Sequence, residues 1–167
     1  MSVSSSRKQI FRQCLAEFQP GRLIDLGAAA GIFSRIAQAD GWAVIAIDAR
    51  SERWQPHEGI EFRHQDIRHA DLSGATLVAC LGVFYHLTAF DQLSLLRGCA
   101  AARLPIILDT HFALTKSVSR GGYSGSEYKE SQNLATASWQ NPTSFWPTRP
   151  ELSRMAADCG LDLREVT

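Results

Sequence analysis

Hydrophobic and polar residues divide the chain into two kinds of segment. Short runs that are apolar almost throughout are typical of strands buried on both faces of a parallel sheet. Other segments repeat apolar residues every three or four positions, which is typical of amphipathic helices. Strands are predicted at 23–26, 42–48, 60–64, 75–83, 105–110 and 161–166. Six strand signals that alternate with helical ones predict an α/β fold with a doubly wound, mostly parallel sheet and helices on both faces.

Four segments have apolar residues at helical spacing. Residues typical of helix ends lie beside them. The first covers 4–18, with Ser5 or Ser6 as its predicted cap and a proline and glycine to stop it. The second fills the gap between the first two strands. The other two begin at 88–91 and 148–151, which have the S/T-x-x-acid form of a capping box. Helices of this kind supply the crossovers that parallel strands require.

The periodic pattern stops over Phe112–Phe145. This stretch is rich in Ser, Gly, Thr and Asn, and its aromatic residues follow neither a helical nor a strand period. A connection longer than about 15 residues in a compact domain is usually functional or disordered, and the aromatic residues argue against disorder. We therefore predict that 112–146 is a substrate lid with a hinge at Gly121-Gly122.

Length and charge bound the classes of function. At 167 residues the chain is predicted to be a single domain, 1–167, with a leading helix in 1–20. Lys plus Arg and Asp plus Glu both number 17, so no overall positive field attracts nucleic acid or anionic membranes. We predict no signal peptide before the first helix. A helix that spans a bilayer needs about 20 apolar residues, and no apolar run in the sequence is that long. A soluble cytoplasmic protein without a membrane partner is expected.

The four cysteines give no sign of a metal site or a disulfide framework. Cys14, Cys80, Cys99 and Cys159 are far apart and form no C-x-x-C pair. Each lies in an apolar segment, and a reduced cysteine is among the residue types most often buried. We predict reduced core residues and no bound metal.

A turn of small residues separates the first strand from the second helix. The strand breaks at Gly27 and the helix starts after Gly31, so free backbone N–H groups point at one spot where a ligand can bind. A dinucleotide-binding site typically has the sequence G-x-G-x-x-G, but Ala29 and Ile32 occupy the second and third glycine positions. The negative charge of Asp25 would repel a pyrophosphate and attract an amine. The combination indicates an amino acid attached to a nucleoside, unless the turn is merely tight packing.

The turn, DLGAAAG, resembles the first motif of the class I S-adenosylmethionine-dependent methyltransferases, an acid-x-Gly-x-Gly-x-Gly sequence. Ala29 replaces the middle glycine, which is tolerable because no bulky phosphate has to approach the backbone. The resemblance implies a Rossmann-like fold and S-adenosylmethionine as cofactor. It also implies a seventh, antiparallel strand, for which no residues remain after the sixth, so a fragment or a shortened variant is expected.

Two later acids match further positions of the resembling family. Asp48 ends the second strand 23 residues after Asp25, where a carboxylate accepts hydrogen bonds from ribose, although it can also cap a helix. The resemblance implies that Asp66 binds the adenine amine and that Ile67 packs on the ring. A turn-capping Asp66 is the alternative. The predicted cofactor-binding residues are Asp25, Gly27, Ala28, Ala29, Gly31, Asp48, Ala49, Asp66, Ile67 and Gly82.

Candidate catalytic residues follow the fourth and fifth strands, at the edge where open α/β sheets bind ligands. Tyr85 and His86 come after the fourth strand, and Asp109 and His111 end the fifth. Either histidine can serve as a general base for a poorly nucleophilic acceptor such as a hydroxyl, because imidazole titrates near neutrality. His86 can instead be a structural residue. The predicted catalytic residues are Tyr85, His86 and His111.

The segment GVFYH, residues 82–86, is similar to one branch of the family, which carboxymethylates wobble uridine in tRNA, and to related small-molecule methyltransferases. We predict methyl transfer to an oxygen or nitrogen nucleophile of a small-molecule acceptor. A transferase that acts on tRNA is the first alternative, although the neutral charge counts against it. A non-catalytic interaction module that retains the fold is the second. The failed glycine fingerprint disfavours a dinucleotide-dependent reductase.

Overall fold

A computed structural model describes residues 3–131 and 137–166 of the chain. The chain divides into two compact units. Unit 1 comprises Met1–Leu81, Leu104–Ile107 and Glu165–Thr167, and unit 2 comprises Gly82–Arg103 and Leu108–Arg164. No helix in the described ranges is long and apolar enough to cross a bilayer. The organisation as a single domain with a lid stays a prediction.

A mostly parallel sheet of five strands is the main feature that follows from the apolar runs. In it β1 pairs in parallel with β2 and β4, and β2 pairs in parallel with β3. The strand order is β3-β2-β1-β4-β5, so the chain reverses direction across the sheet at β1, as in doubly wound folds. The predicted α/β class is confirmed. The strands are β1 (Arg22–Leu26), β2 (Ala43–Asp48), β3 (Ile60–His64), β4 (Leu77–Leu81) and β5 (Ile106–Asp109).

Two helices cover one face of the sheet within unit 1. They are α1, Ser5–Leu15, and α2, Ile32–Ala39. Their apolar faces meet where Phe11 of α1 packs edge-on against Phe33 of α2, with ring centroids 5.1 Å apart. Both rings belong to a buried cluster with side chains of β1, β2 and β4. The apolar periodicity of both helices therefore corresponds to their core-facing side.

The first helix begins and ends differently from the prediction. Ser4, rather than Ser5 or Ser6, is the N-cap, and its Oγ accepts a hydrogen bond from the N–H of Arg7 at 3.3 Å. The helix ends at Leu15, before the predicted end at Phe18. A cap must have a non-helical backbone, and Ser4 has it with φ −61° and ψ 153°.

The predicted sixth strand is absent from the described residues. Residues 161–166 have no regular secondary structure. Their alternation of apolar and charged residues suits a strand only if one face is buried, but Leu163 is 40% exposed and Val166 39%. The sheet therefore has five strands, and the prediction of six is wrong.

Unit 2 contains a second, antiparallel sheet in the stretch that has no clear sequence period. Its order is β6-β7-β8, and the polar composition of these strands explains why the pattern did not reveal them. Position 125, inside β7, requires glycine because a Cβ there would collide with the carbonyl of Trp146. The elements of unit 2 are α3 (Ala89–Ala101), β6 (Val118–Arg120), β7 (Tyr123–Lys129), β8 (Thr143–Pro147) and α4 (Arg149–Asp158).

The glycine pair predicted as a hinge is a tight turn. Arg120 of β6 pairs with Tyr123 of β7, so Gly121 and Gly122 form a two-residue hairpin loop. Their φ values of 58° and 87° lie in the left-handed region that a type I′ turn requires at both positions. The turn requires glycine at both positions, and a hinge at this point stays a prediction.

A buried glutamine connects three parts of unit 2. Nε2 of Gln92, in α3, donates hydrogen bonds to the carbonyls of Phe84 at 3.0 Å, Leu87 at 3.5 Å and Phe145 at 2.6 Å. The N–H of Phe145 in turn donates to the Leu87 carbonyl at 2.9 Å. Because Gln92 has no exposed surface, these bonds form in a poorly screened environment. They hold the segment around Tyr85 against α3 and β8.

The two predicted capping boxes have different outcomes. Thr88 Oγ1 accepts a hydrogen bond from the N–H of Asp91 at 3.2 Å and donates one to its carboxylate at 2.7 Å. The N-cap at Thr88 is confirmed; the carboxylate of Asp91 binds the Thr88 hydroxyl, whereas in a capping box it binds the backbone N–H. Thr148 makes no such bond, and its buried Oγ1 has no hydrogen-bond partner among the residues described. The second box is wrong, although the helix does start where it was predicted.

Candidate functional site

The turn between β1 and α2 is attached to the end of β2. The N–H groups of Gly27 and Ala28 both donate to the carbonyl of Ile47, at 2.8 and 3.2 Å. Gly27 and Gly31 have φ values of 74° and 71°, where glycine is strongly favoured. The turn is thus a left-handed bend held beside the neighbouring strand, within unit 1.

Asp48 joins the turn directly. Its Oδ2 accepts a hydrogen bond from the N–H of Ala29 at 2.8 Å, and its Oδ1 accepts one from the N–H of Arg50 at 2.8 Å. An ionised carboxylate has about four acceptor positions, so each oxygen retains capacity for a further donor. Asp48 as a whole is half-buried. Two residues predicted to bind the cofactor, far apart in sequence, therefore meet.

Ala29 adopts a backbone conformation that disfavours alanine. Its φ is 49°, in the left-handed region where a Cβ costs about 1–2 kcal/mol. We expect Ala29→Gly to raise the free energy of unfolding by about 0.5–1 kcal/mol, because relief of that strain exceeds the added freedom of the unfolded chain. Urea denaturation measures the change. Ala30→Gly is the control, because Ala30 has no positive φ to relieve and the substitution should destabilise.

Trp54 explains why position 31 requires a glycine. A Cβ on Gly31 would lie 2.6 Å from Cζ3 of Trp54, which is closer than real contacts allow. The indole is in turn stacked on Phe62, with centroids 4.5 Å apart and 12° between the planes. The glycine therefore serves internal packing, which was the alternative to ligand binding for this position. No sequence pattern marks Trp54, which lies in the loop between β2 and β3.

Asp25 lies inside unit 1 rather than on its surface. The residue is 2% exposed, and the Ser34 hydroxyl donates to its Oδ2 at 2.5 Å. Burial raises the pKa of Asp25 to about 6; the bond from Ser34 opposes the rise and the charge of Asp48 adds to it. A carboxylate in this setting influences the turn mainly through its charge.

The raised pKa of Asp25 predicts a pH dependence of stability. The folded state keeps the proton up to about pH 6 and the unfolded state releases it near 3.8, so stability falls as pH rises between these values. A shift of this size corresponds to about 2–3 kcal/mol. Asp25→Asn should remove the slope while still accepting the Ser34 bond. Urea denaturation across this pH range tests it; parallel curves for wild type and variant would contradict the assignment.

Asp66 and Ile67 form a capped turn. Asp66 accepts hydrogen bonds from the N–H of Arg68 at 2.9 Å and from its guanidinium at 2.5 Å, and it precedes a 3-10 helix, Ile67–His69. Burial acts to raise the pKa of Asp66, but the bonds from Arg68 outweigh it and the pKa lies below its usual range. The turn-capping arrangement, the alternative for Asp66, is the one described. Ile67 is half-buried.

The two remaining predicted cofactor residues make backbone contacts. Ala49 follows Asp48, is 9% exposed, and its carbonyl lies 2.9 Å from Nε2 of His64. Gly82 belongs to unit 2, has a φ of 81° and donates its N–H to the carbonyl of Asp109 at 2.9 Å. Both positions follow directly after a strand; for Ala49 this agrees with the prediction, whereas Gly82 was predicted to lie inside the fourth strand, which ends at Leu81.

Unit 2 brings the predicted catalytic residues together in an aromatic cluster. The ring of Tyr85 lies 4.4 Å from that of His86 and 4.2 Å from that of His111. His111 stacks on Trp146 at 4.8 Å with 14° between the planes, and Tyr128 lies 4.4 Å from the same indole. Tyr128 and His111 are exposed, so part of the cluster faces solvent. A flat or apolar molecule has aromatic surface to contact here.

Glu130 is a site residue that sequence reasoning missed. Its Oε1 lies 2.9 Å from Nδ1 of His86, and its Oε2 accepts the N–H of Ser138 at 3.0 Å. The Ser138 hydroxyl donates back to the carbonyl of His86 at 2.7 Å. Burial acts to raise the pKa of Glu130, but the bonds from Ser138 and His86 outweigh it and lower the pKa. Glu130 follows β7 in the stretch without periodicity, so no motif pointed to it.

No protein-family model matches the chain, and no curated protein sequence matches it. Solved structures do. The N-terminal domain of EvdMO1 with S-adenosylhomocysteine bound is 22% identical, with a TM-score of 0.76 over 94% of this chain and 72% of that one. The same domain in the presence of S-adenosylhomocysteine and D-fucose is 20% identical, with a TM-score of 0.77 over 95% of this chain and 74% of that one.

A third structure is the Burkholderia thailandensis 1,6-didemethyltoxoflavin-N1-methyltransferase with 1,6-didemethyltoxoflavin and S-adenosylhomocysteine bound. It is 15% identical, with a TM-score of 0.61 over 98% of this chain and 69% of that one. At these identities the likeness concerns the fold. The chain has the Rossmann-like methyltransferase fold that the sequence predicted.

Proposed function

We propose that the chain is an S-adenosylmethionine-dependent methyltransferase that acts on an oxygen or nitrogen nucleophile of a small molecule. The observation that carries the proposal is the bond from Ala29 to Asp48, which joins the glycine turn and the strand-end carboxylate into one site. Two proteins of the same fold carry S-adenosylhomocysteine, and one of them carries a small acceptor as well. The same kind of nucleoside ligand is proposed for unit 1 of this chain.

The residues of unit 1 fit such a ligand unequally. Asp48 has acceptor capacity left for two ribose hydroxyls, and the bend at 27–31 has the small side chains that a close ligand requires. Asp25 would act on the ammonium of the methionine portion through its charge. Asp66 would have to share its carboxylate with Arg68 to bind adenine, which makes Ile67 and Ala49 the better neighbours for that ring.

The chemistry supplied by S-adenosylmethionine is a methyl group on a sulfonium, which is already an activated donor. The chain's own residues therefore contribute alignment and exclusion of water. We assign the acceptor to unit 2, with Tyr85 and His111 as contact surface and His86 as the base. We propose that the strands β6 to β8 belong to the substrate lid predicted from the sequence.

The proposed location is the cytoplasm. The four cysteines form no disulfide in the described part of the chain, which agrees with a reducing compartment. A free small molecule rather than tRNA is the proposed acceptor, because the chain's basic and acidic residues balance at 17 each.

Isothermal titration calorimetry of the whole chain tests the proposal. S-adenosylhomocysteine should bind with micromolar affinity and NAD should give no heat. Preference for carboxy-S-adenosylmethionine over S-adenosylmethionine would favour the tRNA-modifying alternative. If S-adenosylhomocysteine, S-adenosylmethionine and carboxy-S-adenosylmethionine all fail to bind, the proposal is overturned. The non-catalytic interaction module is then the remaining alternative.

A further inference from the structure

Glu130 and His86 form a half-buried pair in unit 2 whose hydrogen-bond pattern fixes the position of a proton. His86 has 19% and Glu130 10% of its side chain exposed, so the 2.9 Å contact between Nδ1 and Oε1 is only partly screened by water. The lowered pKa of Glu130 means that its carboxylate is ionised and accepts hydrogen bonds without donating any. Nδ1 of His86 must then carry the hydrogen.

The second oxygen of Glu130 is held independently. Oε2 accepts the backbone N–H of Ser138 at 3.0 Å, and the Ser138 hydroxyl donates to the carbonyl of His86 at 2.7 Å. Asn141 Nδ2 approaches the same carbonyl at 3.4 Å. Both ends of His86, ring and carbonyl, are therefore fixed by one short stretch of chain. A carboxylate held by a backbone N–H cannot rotate to release the imidazole without breaking that bond.

We infer that Glu130 is a positioning residue: it keeps the proton of neutral His86 on Nδ1 and leaves Nε2 bare to receive a proton from an acceptor hydroxyl. The inference rests on the proposed function. In the step, the acceptor O–H bond breaks and its proton passes to Nε2. The oxygen keeps the electron pair and forms the bond to the methyl carbon, and the carbon–sulfur pair of the sulfonium donor stays on sulfur. The imidazolium later returns its proton to water.

The inference narrows the class of acceptor. A neutral amine or ring nitrogen attacks with a lone pair that it already has, and it does not need a base before the bond forms. A hydroxyl is a poor nucleophile until its proton leaves. A histidine that is held in one tautomer by a half-buried carboxylate is suited to hydroxyl activation. The acceptor atom is therefore assigned as a hydroxyl oxygen.

Glu130→Gln tests the inference because it preserves the side-chain volume and replaces one acceptor oxygen with a donor NH₂ group. The amide oxygen should face the N–H of Ser138, which needs an acceptor, and the amide NH₂ then faces Nδ1 of His86. Nδ1 must become an acceptor, so the proton moves to Nε2. We expect NMR of the ring nitrogens, at a pH where the ring is neutral, to show Nδ1–H in wild type and Nε2–H in the variant.

The matched control is Glu127→Gln, which changes a carboxylate on β7 that pairs with Arg120. It should leave the His86 tautomer as in wild type. Nε2–H in wild type, or the same tautomer in wild type and Glu130→Gln, would overturn the inference. If Glu130→Gln does not fold, the wild-type tautomer still decides, because Nδ1–H supports the inference and Nε2–H contradicts it.

Titration of S-adenosylhomocysteine into the same samples separates this inference from the proposed function. Glu130→Gln should bind it within about two-fold of wild type, since Glu130 acts on His86 and not on the nucleoside. If wild type shows the expected tautomer but does not bind S-adenosylhomocysteine, the methyltransferase proposal is overturned and the role of Glu130 in fixing the tautomer still holds. A large loss of binding in Glu130→Gln alone would instead make Glu130 part of the cofactor site and overturn its positioning role.

Discussion

Asp48→Ala is expected to weaken S-adenosylhomocysteine binding at least about 100-fold. The substitution removes the acceptor for the N–H groups of Ala29 and Arg50, so the turn keeps only its backbone bonds to the Ile47 carbonyl. It also removes the carboxylate proposed to accept the ribose hydroxyls. Hydrogen bonds to a charged group contribute about 1.5–3 kcal/mol each, and the loss of two ribose bonds alone corresponds to about 100-fold or more.

Calorimetry on Asp48→Ala and Asp48→Asn measures the effect. An asparagine side chain would still accept hydrogen bonds through its amide oxygen, so the second variant should lie between wild type and Asp48→Ala. The matched control is Asp40→Ala, which removes a carboxylate at the end of α2 that pairs with Arg12. It should bind as wild type does. Undiminished binding by Asp48→Ala would mean that the ribose is placed wrongly.

Gln92→Leu is expected to lower the free energy of unfolding by about 1–3 kcal/mol, because that is the cost of one buried carbonyl left without a donor. Leucine nearly preserves the volume, so a cavity adds little. The Phe145 carbonyl loses its bond to Nε2, whereas the Phe84 carbonyl keeps the N–H of Leu87 and the Leu87 carbonyl keeps the N–H of Phe145. Loss of the buried Gln92 Oε1, which has no hydrogen-bond partner among the residues described, offsets part of the cost.

Thermal and urea unfolding of Gln92→Leu measure the loss. At about 2–4 °C per kcal/mol for a chain of this size, the melting temperature should fall by roughly 2–12 °C. Gln13→Leu makes the same chemical change on the exposed side of α1 and should have little effect. A Gln92→Leu variant as stable as wild type would show that the three hydrogen bonds contribute nothing net.

The sheet of unit 1 was predictable because its signals are local. Strands buried on both faces must be apolar nearly throughout, and the runs ending at Leu26 and Asp48 have that property. The strands of unit 2 carry no such signal, because β7 reads YSGSEYK and its pairing depends on β6 and β8. Residues 161–166 have the opposite problem, since their alternation suits a strand but their apolar residues stay exposed.

The candidate site divides in the same way. Asp48 and the glycine turn could be found because both stand at strand ends, which a parallel sheet brings to one edge. The role of Asp25 was harder to foresee, since its contact with Ser34 and its burial depend on how α2 packs. Glu130 lies 44 residues from His86 and meets it through the fold of unit 2. A lone glutamate in a polar stretch gives no sign of such a partner.

The double attachment of Asp48 has a thermodynamic consequence. Because its carboxylate already fixes Ala29 and the residue two positions after itself, the chain loses the freedom of this loop when it folds, not when a nucleoside arrives. A ligand that enters a site ordered in advance avoids the entropic penalty of immobilising it. Affinity in this half of the molecule should therefore depend on contacts made to rigid backbone, with little rearrangement between the free and bound states.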